Sequence, residues 1–312
     1  MREPATSELS ELFCGPHGGR ANEFERFLGL DEGKLLDLSA SMNPFAVNFS
    51  TELTSAMSCL SSYPDTKAST KRLAIALGVD PDALLITNGG AEAISLVAQH
   101  FERGWADEFE FGLYRRHISV LDPSGIRYRS NPHNPTGALG DRSFWAEVID
   151  EAFYPLATGT WSRRDFESGA IVIGSLTKLS SLPGLRLGYL VAPNVELANR
   201  LRELQPRWSV SSLALAMVPP ILDSVDLESA CKSITTARES LCGVLDRFDV
   251  EYLPSSTNYV FVPHAPGLAQ GLLKHGVLVR DCTSFGFPDA VRIAVGPDAT
   301  CSVLEHALER AL

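Results

Sequence analysis

The stretch IVIGSLTKLSSLPGLRLGYLVAP, residues 171–193, decides how the rest of the chain reads. An apolar run reaches a small polar cluster that holds Lys178, and Arg186 then stands inside GLRLGYLV. No acid lies between the two cations. AIVIGS and RLGYLVA read as strands flanking a lysine loop, and the apolar surroundings predict that both cations are buried. A buried, unpaired cation is costly. The pattern therefore calls for an anionic ligand, or for a partner that reacts with an amine.

Outward from this stretch the chain alternates strands and helices. Upstream, DALLITNGGAEAISLVAQHF reads as a strand, a turn at Asn88-Gly89-Gly90 and a helix opening at Ala91, half of a βαβ unit. Before it, KLLDLSASMNPF is a short strand and turn, FSTELTSAMSCL and KASTKRLAIALG are helices, and SSYPDT is a loop. The first thirty residues read as irregular apart from the amphipathic NEFERFLGL. The middle, FEFGLYRRHISVLDPSGIRYRSNPHNPTG, holds one or two short strands and a proline-rich loop. RSFWAEVIDEAFYPL gives a short helix or strand ending on acids. Residues 195–250 are helical, broken at PRWSVSS and VPP. The C-terminal part alternates strands STNYVFVP, VLVRD and AVRIAVG with helices GLAQGLLKHG and CSVLEHALERAL. The pattern predicts an α/β fold followed by a smaller α+β portion.

Composition narrows the function. In 312 residues, 45% are hydrophobic and 21% charged, the balance of a soluble globular protein. Acids outnumber bases 38 to 27, for a formal charge of -11, and no basic block stands out. Nucleic acid and anionic membranes are therefore not expected partners. The six cysteines include no C-x-x-C pair, so neither a zinc site nor a disulfide framework is expected. MREPATSELSEL lacks the apolar core of a signal peptide, and no apolar run is long enough to span a membrane, which predicts a cytoplasmic protein.

Three segments carry candidate chemistry. Free N–H groups at the start of a helix after Asn88-Gly89-Gly90 would favour an anion, and glycine allows close approach. NPHNPTG places Asn131, His133 and Asn134 in a loop that its prolines hold extended. VIDEAF sets Asp150 and Glu151 after an apolar run, where one carboxylate could partner a protonated ring nitrogen. Read singly, each is also compatible with an ordinary turn, loop or pair of solvated acids.

In order, these segments resemble the class I/II aminotransferase superfamily, the fold type I enzymes that depend on pyridoxal phosphate (PLP). The pattern is most like threonine-phosphate decarboxylases and histidinol-phosphate aminotransferases. PHGG, YP, NGGAE, NPHNPTG, DEAF, SLTKLSSLPGLRLGY, PRWSVSSLA, VLVRDCTSF and VRIAVG carry the likeness over nearly the whole chain. The resemblance implies a large PLP-binding domain (residues 49–225) with a mixed, mostly parallel sheet. It also implies a smaller α+β domain formed by residues 1–48 and 226–312. Lys178 would hold the cofactor covalently and move the Cα proton, which requires a lowered pKa. Arg186, Ser175, Thr177, Gly90 and Ala91 would hold the phosphate, and Asp150 the ring nitrogen. Asn134 would hold the ring hydroxyl, and Phe111 would stack on the ring. Tyr63 would reach the phosphate of another subunit, implying a homodimer with shared sites. Arg292 would clamp a substrate carboxylate, and His17, Asn43 and Arg280 would line the substrate pocket. Aminotransferase-type activity on a small, optionally phosphorylated amino acid is the favoured expectation. Amino-acid decarboxylation is the alternative, and a PLP-binding protein without catalysis a further one.

The chain departs from the family pattern in three ways. Phe153 stands where many relatives carry tyrosine, and Ser41 where the decarboxylase pattern favours asparagine. The intervals from Gly90 to Asn131 and from Asn134 to Asp150 are short, which predicts a shortened large domain.

Overall fold

The computed structural model describes residues 6–15, 17–141 and 143–312. Pro16 of the PHGG segment and the first five residues lie outside them. Among the described residues there are eleven strands. In chain order they are β1 (Leu36–Leu38), β2 (Leu84–Asn88), β3 (Arg103–Ala106), β4 (Val120–Leu121), β5 (Ile126–Ser130), β6 (Val148–Asp150), β7 (Ile171–Ser175), β8 (Leu187–Val191), β9 (Tyr259–Val262), β10 (Val277–Asp281) and β11 (Val291–Ala294).

Seven of them form one sheet in the order β2-β8-β7-β6-β5-β3-β4. β8 runs antiparallel to both neighbours and every other pairing is parallel between neighbours, so β2 also runs with β7. The carboxyl ends of β2, β3, β5, β6 and β7 therefore meet at one edge, where ligands bind in open α/β sheets. Alternation buries both faces of the sheet. Ile173 and Leu190 pack with Ile94 and Val97 of the helix Gly89–Phe101. Val172, Tyr189 and Val191 join Leu73 of the helix Lys67–Leu77 in the main core.

The shortening expected of the large domain falls on its connections. β5 and β6 are parallel neighbours, yet residues 131–147 between them contain no helix among the described residues. β4 passes to β5 through the turn 122–125, which steps over the start of β3. A Cβ on Gly125 would lie 2.6 Å from the carbonyl carbon of Arg103, so only glycine permits the crossing. The remaining four strands form a second sheet, β1-β10-β11-β9, packed with the helices Leu227–Arg247, Leu268–Lys274 and Asp298–Ala311.

Three details differ from expectation. Residues Thr6–Phe13, read as irregular, are helical. The long helical stretch is broken at VPP as expected, the prolines opening the helix Val218–Ser224, but it is broken again at residues 225–226, before the helix Leu227–Arg247. LYRRH, inside the region read as strands and loop, is a short helix, Leu113–His117. Among the described residues no helix is long and apolar enough to cross a membrane.

Candidate active site

The strand-to-helix turn after β2 is the first wall. Glu92 Oε2 accepts from the Asn88 N–H (2.7 Å), from Gln205 Nε2 (3.0 Å) and from Ser209 Oγ (3.1 Å). One carboxylate thus ties NGGAE to PRWSV and shapes the helix start. Gly89 sits at φ 74°, and a Cβ there would lie 2.5 Å from Arg186 Nη2. The guanidinium therefore packs against the first turn of the helix Gly89–Phe101, near the N–H groups of Gly90 and Ala91. Ser175 ends β7 beside Gly188. Arg186, expected to be buried, is exposed: it occupies a left-handed turn (φ 55°) that precedes β8, and the apolar residues after it, not Arg186, enter the core. Thr177, expected at the phosphate, spends its hydroxyl on Leu187, donating to the carbonyl (3.1 Å) and accepting from the N–H (3.2 Å).

Lys178 follows β7 on the short helix Leu176–Ser180, with Nζ 5.3 Å from the centroid of Phe153. Burial, then Arg292 and Arg186, push its ammonium down to about 8, against the opposing pull of Asp150. The ammonium therefore gives up its proton far more readily than a free lysine, although most of it still holds that proton at pH 7. Asp150 ends β6 and is buried. Its Oδ2 accepts from Tyr114 Oη (2.9 Å) and its Oδ1 from the Ala152 N–H (2.9 Å). Burial pushes the Asp150 carboxyl up, and Ala152, Tyr114 and Lys178 only partly offset it. A cation set against this carboxylate would be strongly favoured.

Tyr114 was not legible as a site residue. It sits one helical turn beyond Phe111, fully buried, with its ring stacked on Tyr128 (5.6 Å) and edge-on to Phe111 (5.7 Å). The spacing from Phe111 is the signal that could have found it. Phe111 itself lies 6.1 Å from the ring of His17. Burial, then Arg280, Arg116, Lys178 and Arg186, push His17 below its ordinary range.

The second sheet supplies two arginines. Arg280 on β10 and Arg292 on β11 are direct cross-strand partners, 4% and 6% exposed. Like charges placed directly opposite each other oppose pairing. Neither joins an ion pair among the described residues. Arg292 Nη1 donates to Asn134 Oδ1 (2.5 Å), its guanidinium lies 4.6 Å over Tyr259, and its Nε has no partner. Arg280 donates to the Gly15 carbonyl (2.7 Å) and to Ser284 Oγ (2.6 Å). Burial, then Arg292, push it down to about 10.

Two expectations change character. Asn43, expected in the substrate pocket, is committed to backbone. Its Nδ2 donates to the Leu179 carbonyl (3.1 Å), its Oδ1 accepts from the Phe45 N–H (3.0 Å), and its own N–H donates to the Lys178 carbonyl (2.9 Å). It clasps the N-terminal segment to the lysine helix. Tyr63 is 78% exposed, and its ring stacks on the exposed Trp208 at 4.5 Å. Glu151, read as one of two solvated acids, is wholly buried, with Oε1 accepting from the Arg163 N–H (3.0 Å).

The residues present fit PLP. The Gly89–Phe101 helix start with Arg186 suits a phosphate, buried Asp150 suits a protonated ring nitrogen, and Lys178 is an amine whose pKa burial has lowered. The chain is 25% identical to histidinol-phosphate aminotransferase 1 of Dechloromonas aromatica, with 100% of this chain and 99% of that protein covered. That alignment runs over 363 positions, so at least 51 have no counterpart in the 312 residues here. The histidinol-phosphate aminotransferase 1 of Cupriavidus pinatubonensis is 27% identical, with 95% and 93% covered. Among solved structures, the fold is similar to the histidinol-phosphate aminotransferase of Sinorhizobium meliloti in complex with pyridoxal-5'-phosphate. The TM-score there is 0.79, with 19% identity and 100% of this chain and 98% of that one covered. It is also similar to the L-threonine-O-3-phosphate decarboxylase of Porphyromonas gingivalis, with TM-score 0.76, 23% identity and coverage of 87% and 98%. Residues 127–310 match the family model described as aminotransferase class I and II, and the chain belongs to that family.

Proposed function

We propose that the protein is a PLP-dependent aminotransferase acting on a small amino acid that bears a second anionic group, such as a phosphate. The observation that carries the substrate class is the cross-strand pair Arg280 and Arg292, buried side by side with no ion-pair partner for either among the described residues. Two such guanidiniums are stabilised by anions held between or beside them. The names of the similar histidinol-phosphate aminotransferases support a phosphorylated substrate.

PLP, when bound, supplies an electron sink for the Cα–H bond electrons. Gly90, Ala91, Ser175 and Arg186 would hold its phosphate, Asp150 its ring nitrogen, Asn134 its ring hydroxyl and Phe111 one ring face. Phe153 offers no hydroxyl beside the ring, so Asn134 serves there alone. Arg292 binds the substrate carboxylate and thereby orients Cα toward Lys178. Lys178, its pKa lowered, would take the proton from Cα and, within the same half of the transfer, pass it to the cofactor carbon that gains a hydrogen. Arg280 and His17 face the second anionic group.

Residues 1–48 and 226–312 form the smaller unit that carries both arginines, and residues 49–225 the cofactor unit. A second copy of the chain covers the exposed apolar face of Met57, Leu60, Tyr63 and Trp208 and brings Tyr63 to the phosphate of its partner. Such a homodimer works in the cytoplasm.

The test is incubation of PLP-loaded protein with a panel of amino acids and phospho-amino acids. Transamination leaves a keto acid and the amine form of the cofactor. Stoichiometric carbon dioxide release without a keto acid would overturn the aminotransferase assignment in favour of decarboxylation.

A further inference from the structure

Glu110 is a carboxylate beside the site with no task in the chemistry above. It lies in the loop after β3, is 5% exposed, and joins no ion pair among the described residues. Ser130, the last residue of β5, grips it twice. The Ser130 N–H donates to both carboxylate oxygens (3.2 and 3.1 Å), and the hydroxyl donates to Oε2 (2.5 Å). The same hydroxyl accepts from the Asn134 N–H (2.9 Å). Asn134 Oδ1 in turn accepts from Arg292 Nη1 (2.5 Å). A chain of hydrogen bonds thus runs from Glu110, in the loop beside the large sheet, to an arginine on the small one.

We propose that Glu110 is a positioning residue that, through Ser130, holds Asn134 where its amide supports Arg292. A serine hydroxyl has one proton and two lone pairs. With Glu110 ionised, that proton goes to the carboxylate and a lone pair is left for the Asn134 N–H. Charge-assisted bonds are also the stronger ones. A protonated Glu110 donates to one lone pair of Ser130 instead; the other can still serve the Asn134 N–H, but the charge-assisted grip that fixes the hydroxyl is lost and the arrangement loosens.

The groups that face Glu110 are Asp107 from its own loop, Arg129 on β5, Tyr114 on the helix Leu113–His117, and Tyr259 on β9. Arg129 is the one cation among these, and Asp107 is held by Arg127. Burial pushes Glu110 up to about 7, against the pull of the Ser130 hydroxyl and N–H. Its charge therefore changes near neutrality, and its grip on Asn134 weakens as pH falls through that value. The effect on a substrate carboxylate rests on the function proposed above, whereas the effect on Asn134 does not.

Hydrogen–deuterium exchange of the full-length protein, with and without PLP, reads the chain at the Asn134 amide. Rates are corrected for intrinsic pH dependence and referred to amides of the helix Leu227–Arg247. About one-tenth of Glu110 is ionised one unit below its pKa, so relative protection should fall, by up to about tenfold, between pH 8 and pH 6. Glu110→Gln should make it independent of pH, and Ser130→Ala should make it low at every pH. In turnover, the wild-type KM should rise over the same interval relative to that of Glu110→Gln, a change carried by KM rather than kcat. A pH dependence at Asn134 that survives in Glu110→Gln, or its absence from the wild type, would overturn the proposal. A chain that binds no PLP would defeat the functional reading while the exchange result on the unloaded protein still decides the role of Glu110.

Discussion

Replacing Tyr114 by Phe removes one hydroxyl and leaves the ring stacked on Tyr128 and edge-on to Phe111. That hydroxyl donates to Asp150 Oδ2 at 2.9 Å in a buried site. A hydrogen bond to a charged group contributes about 1.5–3 kcal/mol. Its loss disfavours the ionised form of Asp150, the form that pairs with a ring cation, by up to the same amount, about 10- to 100-fold in equilibrium. Burial already raises Asp150, and removing Tyr114 raises it further, so the acid limb of any activity profile that depends on ionised Asp150 moves to higher pH. Affinity for PLP, titrated by absorbance at pH 7, should fall by that factor, and kcat/KM with it. The melting temperature of the cofactor-free protein should fall as well, because the same bond stabilises the unloaded native state. Affinity within twofold of wild type, with an unmoved acid limb, would refute the role given to Tyr114.

Glu151→Gln should stabilise the protein at pH 8. Burial pushes Glu151 up to about 7 from an ordinary value of 4.5, so between those values the native state binds more protons than the unfolded one. Stability therefore falls as pH rises through this window, by about 3 kcal/mol. The variant's melting temperature should lose that share of its pH dependence, and an unchanged profile would contradict the burial. Asp150→Asn, by contrast, should cut turnover far more than Glu151→Gln at equal PLP occupancy. Arg292→Lys should raise KM by ten-fold or more, because an ammonium loses the bidentate geometry while Asn134 keeps its loop in place. Tyr63→Ala and Lys178→Ala, each inactive, should regain activity when mixed and allowed to exchange subunits. No recovery after demonstrated exchange would count against a shared site.

Much of this site could be read from residue order because strand ends and glycine turns leave local marks. Asn88-Gly89-Gly90 announces a strand-to-helix turn, and Lys178 follows a run that can only be a buried strand. Burial of individual polar groups was less legible, since it depends on what packs from elsewhere. The apolar residues around Arg186 belong to β8, while Arg186 itself occupies the exposed left-handed turn before it. Glu151 looks like a solvated neighbour of Asp150 until the segment Phe144–Arg163 closes over it. Thr177 and Asn43 have the right identities for ligand contact, but nearby backbone groups take their hydrogen bonds. Tyr114 and Glu110 meet Asp150 and Ser130 only because β3, β5 and β6 end at one edge.

The central claim is that Lys178 is the amine that takes up PLP. Borohydride reduction of the loaded protein, followed by peptide mass spectrometry, tests it most directly. The mass of reduced cofactor should appear on the peptide containing Lys178, and Lys178→Ala should acquire none. Reduced cofactor on another lysine, or equal labelling of Lys178→Ala, would contradict the account.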